Sequence, residues 1–173
     1  METIVLPHLP GQPLQVCLFA NVQNAQFLRQ QLLDGNANFE YAFLDAAVLL
    51  SRQHVLAACF RAINDMLQGR LKSKNVHSEI VFSLSPNNNI SESFRRFGVS
   101  ETTNHILAIK VGGDQAQVEE HLRQHVEGQM VAFTDGALAG MRDESRIRKA
   151  YKVDIASVQA DAFIIGSMAL KGS

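Results

Sequence analysis

Several features that would point to covalent or metal chemistry are scarce in this sequence. Only two cysteines, Cys17 and Cys59, occur in 173 residues. They form no CxxC pair, which excludes a disulfide framework and a zinc site made of thiolates and is typical of a reducing compartment. Tryptophan is absent, and there are only four prolines. With 46% hydrophobic and 19% charged residues, the composition is that of a folded protein rather than a disordered tail.

An excess of one charge and a long apolar run are also lacking. Sixteen Lys and Arg against seventeen Asp and Glu give a net charge of -1, which argues against an autonomous, strongly basic nucleic-acid binder. Apolar runs such as residues 46–50 are far shorter than the ~20 residues of a membrane span. Residues 1–13 lack the basic start and apolar centre of a secretion signal. We therefore expect a soluble protein of the nucleus and cytoplasm, with no membrane contact.

Hydrophobic spacing and capping residues predict an α/β (α+β) fold. Strands are predicted at residues 15–19, 41–44, 79–84, 105–111 and 129–133, and helices at 24–34, 45–50, 51–69, 90–97, 114–125, 143–151 and 157–170. Asn89 is expected to cap one helix, with Glu92 completing a capping box, and Gly98 to end it in the left-handed conformation. The whole chain, 1–173, is predicted to be a single domain with a mixed, largely antiparallel sheet of about five strands covered by helices.

Two groups of side chains carry the residue types of an active site. His77, Ser78 and Glu79 have the types of a hydrolytic triad, but on the predicted strand adjacent residues point to opposite faces, and no GxSxG surrounds the serine. His121 and His125 have metal-ligand spacing, yet the HExxH glutamate and a third ligand are missing. Motifs for nucleotide phosphates are also absent. We predict no catalytic residue, no metal and no cofactor, and keep a hydrolase that uses these histidines as an alternative hypothesis.

Two features instead indicate binding. Residues 70–76 contain Arg70, Lys72 and Lys74 and no acid, and a positive patch of this kind can hold a few phosphates if the fold adds other basic residues. The terminal helix is apolar around most of its circumference, with Val158, Ala162, Ile165 and Ala169 on one face and Phe163, Ile164, Met168 and Leu170 around the rest. A helix of this kind is expected to be buried on nearly all sides, in the core or against a partner.

The sequence also carries strings that resemble a known family. They are RLKSK at 70–74, SEIV at 78–81, LSPNNNISE at 84–92 and FGV at 97–99, with further matches at 18–19, 22–25, 148–152 and 161–162. Together they closely resemble the signature of the kinase-binding subunit of the KEOPS (EKC) complex, the PRPK-binding protein family. The resemblance covers most of the chain in the same order.

This resemblance implies a non-catalytic subunit that binds a small atypical kinase/ATPase directly and the other KEOPS subunits indirectly. It implies an effector of threonylcarbamoyladenosine (t6A) formation in tRNA that contacts the tRNA 3′ end, weakly when alone, and it links the complex to telomere maintenance and transcription. A stand-alone tRNA- or RNA-binding module is the alternative function.

Site residues follow from the resemblance position by position. Arg70, Lys72 and Lys74 fall on the family's basic stretch and are the candidates for tRNA contact. Ile164, Ile165 and Met168 lie where the family's kinase-binding helix is expected, and we predict that they are exposed and anchor the kinase. Gly166 stands where relatives often carry a basic residue.

Overall fold

A five-stranded antiparallel sheet forms the middle layer of the computed structural model, which describes residues 1–152 and 159–171. The strands are β1 (Glu2–Ile4), β2 (Leu14–Ala20), β3 (Ala42–Asp45), β4 (Ile106–Val111) and β5 (Gln129–Val131). Their order is β1-β2-β4-β3, and β5 pairs with β2 beside Leu18 to Ala20. The α+β class predicted from the sequence is confirmed.

Helices cover both faces of this sheet. They are α1 (Ala25–Leu33), α2 (Arg52–Leu67), α3 (Val76–Leu84), α4 (Ile90–Phe97), α5 (Gln115–His125), α6 (Asp135–Met141), α7 (Glu144–Tyr151) and α8 (Ala160–Ala169). Two short 3-10 turns, Ala37–Phe39 and Ala46–Val48, flank β3. The predicted start of the terminal helix, Ser157 and Val158, lies outside the described residues.

Alternation along the central strands divides the core into two layers. On β2, Val16 and Leu18 join the layer of α2, α3, α7 and α8, whereas Cys17 and Phe19 join the layer of α1 and α5. Because both faces are covered, the strand is apolar at nearly every position, as its sequence LQVCLFA shows. Both cysteines are free and buried.

Side-chain caps explain where several predicted helices begin. Ser51, Asn89, Asp114 and Asp143 each accept a hydrogen bond from the backbone N–H three residues later. The prediction that Asn89 caps α4 is confirmed. Glu92 does not complete a capping box with it and instead pairs with Arg95 at 2.5 Å and Arg96 at 2.7 Å.

The predicted strand at 79–84 is wrong, because this segment belongs to α3. Asn75 accepts a bond from the Ser78 backbone N–H, and the Ser78 hydroxyl accepts one from the Asn75 backbone N–H, which forms a capping box. The run that follows is apolar on all sides because α3 is buried on nearly all sides. A short apolar run of this length fits a buried strand and a buried helix equally well.

Gly98 is also not in the predicted left-handed conformation, since its φ is -83°. Its lack of a side chain has another use: a Cβ there would lie 2.9 Å from the carbonyl oxygen of Phe94. This close approach lets the chain leave α4 and form a bridge with Leu44 on the sheet edge. The sequence prediction missed two further elements, β1 and α6.

Candidate functional site

Helix α8 uses one side to complete the core against α2. Ala160, Ile164 and Met168 recur every four residues on this side and are buried. The prediction that Ile164 and Met168 are exposed is therefore wrong, because their side chains are 0% and 2% accessible. Ile165 is half-buried at the border of the core side.

The opposite side of α8 is apolar and faces away from the core. Phe163 is 54% exposed and Leu170 is 84% exposed, and they lie seven residues apart on the same face. Three small residues, Ala162, Gly166 and Ala169, share this face with them. Two large apolar side chains beside small ones form a surface against which another protein element can pack closely. We call these five residues the outer face of α8.

Polar contacts hold both ends of α8 in place. At its start, the Ser51 hydroxyl donates a 2.5 Å hydrogen bond to Asp161. At its end, the guanidinium of Arg61 donates to the carbonyl oxygens of Met168 in the last turn and of Lys171 just beyond it. The Lys171 ammonium donates to the carbonyl of Phe82, and burial lowers its pKa to about 7. These bonds fix the orientation of the outer face relative to α2.

The predicted basic residues lie on the loop between α2 and α3. Arg70, Lys72 and Lys74 are exposed, whereas Leu71 and Ser73 between them are half-buried. All three cations are therefore accessible to a partner from this short loop. We call residues 70–74 the basic loop.

A groove of about 730 Å³ joins the basic loop to α2 and α8. Apolar side chains from the two helices line it, among them Phe60, Ile165 and Met168. Charged residues from α2 and the loop also line it, and Arg70 forms an ion pair with Asp65 at 3.2 Å. The groove thus brings members of both predicted binding sets, Ile165 and Met168 with Arg70 and Lys72, to one place.

Three basic residues outside the basic loop have acidic partners close by. Arg95 and Arg96 both pair with Glu92 on their own helix. Arg146 pairs with the buried carboxylate of Asp45 at 3.1 Å.

Sequence reasoning did not assign Phe60 or Arg61 to a binding surface. The seven-residue spacing of Phe60 and Leu67, both exposed on α2, was the signal for an outward apolar stripe.

The residues of the alternative hydrolase hypothesis make structural contacts. His77, Ser78 and Glu79 lie on α3 rather than on a strand, so the argument that adjacent strand residues point to opposite faces does not apply. His77 accepts a 3.0 Å hydrogen bond from the Val111 backbone N–H, and burial lowers its pKa to about 4. Ser78 forms the capping box of α3. His121 contacts the Tyr41 hydroxyl at 2.8 Å, and the described residues contain no group of three side chains suited to a metal ion.

Comparison with known proteins identifies the family. The family model described as kinase binding protein CGI-121 matches residues 19–172. The chain belongs to this family. The match includes the basic loop, the groove and α8, so all of the surface described above lies within the family's own domain.

Curated relatives of the CGI-121 family match along nearly their full length. The chain is 50% identical to a protein of Aspergillus fumigatus over 184 residues, which cover 100% of this chain and 97% of the relative. It is 35% identical to a protein of Schizosaccharomyces pombe over 172 residues, with 98% and 99% covered. Both relatives are named EKC/KEOPS complex subunit cgi121. Among the described helices, none is long and apolar enough to cross a membrane.

Proposed function

We propose that this chain is a non-catalytic regulatory subunit of a KEOPS/EKC complex and an effector of t6A formation. It binds the small atypical kinase/ATPase subunit directly and the other subunits through that kinase. The family description and the names of the relatives support this proposal. A location in the nucleus and cytoplasm, and roles of the complex in telomere maintenance and transcription, belong to the same proposal and rest on the family resemblance alone.

The observation that carries the kinase contact is the outer face of α8. Phe163 and Leu170 are large, apolar and more than half exposed, although the opposite side of the helix completes the core. Large side chains that fill pockets on a partner supply most of the binding energy of an interface. In this proposal Phe163 and Leu170 are the main anchors, and Ile165 contributes from the groove. Ile164 and Met168 support the helix from the core side.

A charge on the outer face is expected to weaken the kinase complex without unfolding this chain. Phe163→Asp places an unpaired carboxylate in the interface, which we expect to cost about 2 kcal/mol or more, a roughly 30-fold loss of affinity. Leu33→Asp is the matched control, because Leu33 is 62% exposed on α1 in the other helical layer. Titration calorimetry with the small kinase measures both. Equal affinity for the two variants would contradict the proposed interface.

The second part of the proposal is contact between the basic loop and tRNA phosphates. Three exposed cations within five residues provide a charge density that phosphate backbones recognise. The net charge of -1 limits binding by the isolated chain, so the loop acts together with the rest of the complex. The 3′ end is the part of the tRNA that the family resemblance favours.

Removing the three cations is expected to weaken tRNA binding and its salt dependence together. For the variant R70A/K72A/K74A, the slope of log K against log salt should fall by roughly 2, at about 0.7 for each single-strand phosphate contact. The control R29A/R123A/K149A removes the same charge elsewhere and should change the slope less. Fluorescence anisotropy of labelled tRNA, with and without the kinase, measures this. Equal slopes for the wild type and the loop variant would contradict the contact between the loop and tRNA. Equally tight binding of tRNA by this chain with and without the kinase would favour a stand-alone RNA-binding module.

A further inference from the structure

A buried carboxylate lies directly beneath the basic loop. Glu79 on α3 is 1% exposed. Its two oxygens accept hydrogen bonds from the Lys72 backbone N–H at 3.1 and 3.0 Å, and one of them also accepts from the Ser73 backbone N–H at 3.2 Å. The Ser73 hydroxyl is a third donor to this carboxylate, at 3.0 Å. A buried acid whose lone pairs are used by one loop has a specific structural role.

These bonds determine which way the loop residues point. Lys72 and Ser73 are consecutive, and binding both of their backbone N–H groups fixes the middle of the segment against α3. The Ser73 hydroxyl, which also contacts Ser78 at 2.9 Å, turns the Ser73 side chain inward. With Ser73 held inward, Lys72 and Lys74 on either side of it are exposed, as is Arg70.

We propose that Glu79 is a positioning residue that holds the basic loop in the conformation that contacts tRNA. This inference rests on the proposed contact between the loop and tRNA phosphates. Glu79 does not touch the RNA. Glu79 makes the loss of conformational entropy on binding smaller, because the loop is already ordered before the RNA arrives.

Geometry and charge predict opposite results when this carboxylate is neutralised. Glu79→Gln removes a negative charge close to three cations, and on electrostatic grounds alone tRNA binding should become tighter. The glutamine side chain, however, offers one acceptor oxygen, where the carboxylate offers two. Its NH2 group is itself a donor, so it cannot accept a hydrogen bond from a backbone N–H. If Glu79 positions the loop, tRNA binding should become weaker although the net charge rises from -1 to 0.

The test compares Glu79→Gln with Glu120→Gln in complex with the small kinase, using anisotropy of labelled tRNA. Glu120 is exposed on α5, so its replacement makes the same change in charge. We expect tRNA binding to weaken roughly 5- to 10-fold for E79Q, as for the loss of a preorganised segment, and to stay equal or tighten for E120Q. Amide hydrogen exchange of Lys72 and Ser73 should become at least roughly 10-fold faster in E79Q only.

Ser73→Ala provides a second variant should E79Q not fold, because it removes one hydroxyl and leaves α3 intact. It should weaken tRNA binding in the same direction by a smaller factor. If the folded E79Q or S73A bound tRNA as tightly as the wild type or more tightly, the positioning role of Glu79 would be overturned and the proposed tRNA contact would stand. If the wild-type complex binds no tRNA, the proposed tRNA contact fails and the inference fails with it.

Discussion

Ile164→Ala is expected to lower the free energy of unfolding by about 2–5 kcal/mol, whereas Phe163→Ala should change it by less than about 0.5 kcal/mol. The two residues are neighbours on α8 and similarly apolar. Ile164 is fully buried in the core where α8 packs against α2, so its truncation leaves a cavity. Phe163 is 54% exposed and loses little packing. Urea unfolding followed by circular dichroism measures both values.

Affinity for the small kinase should show the reverse order. Phe163→Ala removes a proposed anchor and should weaken the complex, whereas Ile164→Ala, at a temperature where it is folded, should weaken it less. The two variants therefore separate support of the helix from contact with the partner. Equal unfolding free energies would contradict the packing of α8 described above. A larger loss of kinase affinity for Ile164→Ala would restore the original assignment of Ile164 as an anchor.

The sequence predicts the fold well where local signals and burial agree. Helices α2, α5 and α7 begin and end close to their expected positions because the caps Ser51, Asp114 and Asp143 mark their starts. It fails for α3, where burial on nearly all sides removes the contrast between polar and apolar faces. The signal that identifies α3 as a helix is the pair Asn75 and Ser78, the two residues of its capping box.

The candidate site shows the same division. Exposure of Arg70, Lys72 and Lys74 could be predicted from the sequence, because long basic side chains are rarely buried. The side of α8 that faces the core could not, because the helix is apolar on every side and only tertiary packing decides. The role of Glu79 was hidden for a related reason. A glutamate within an apolar run gives no sign of which backbone N–H groups it will bind until the loop is folded over it.

Acid is expected to destabilise this protein steeply between about pH 6.5 and pH 4, because two buried histidines are held neutral. Burial lowers the pKa of His54 to about 3 and that of His77 to about 4, from the ordinary histidine pKa of 6.5. His54 is enclosed in a polar chain: its Nδ1 accepts from the Leu50 backbone N–H, and its Nε2 contacts the Tyr151 hydroxyl, which donates to the Leu84 carbonyl. A proton on Nδ1 would break the first of these bonds.

The direction and size of the effect follow from proton linkage. In this range the unfolded chain binds protons at both histidines and the folded chain does not, so stability is full above about pH 6.5 and is lost as the pH falls. Each histidine contributes about 1.4 kcal/mol per pH unit where it is protonated only in the unfolded state, giving roughly 2.7 kcal/mol per unit near pH 5. A domain with a typical stability of about 5–15 kcal/mol would lose much of it before pH 4.

Urea unfolding at several pH values tests this expectation, and isosteric variants assign the slope to each residue. In His54→Asn the side-chain oxygen can replace Nδ1, and in His77→Gln it can replace Nε2 as the acceptor for Val111. Each variant should lose about half of the slope near pH 5. His8→Asn, at an exposed turn with a φ of 66° that asparagine tolerates, should keep all of it. If both buried-site variants kept the full slope, groups other than His54 and His77 would cause the acid sensitivity.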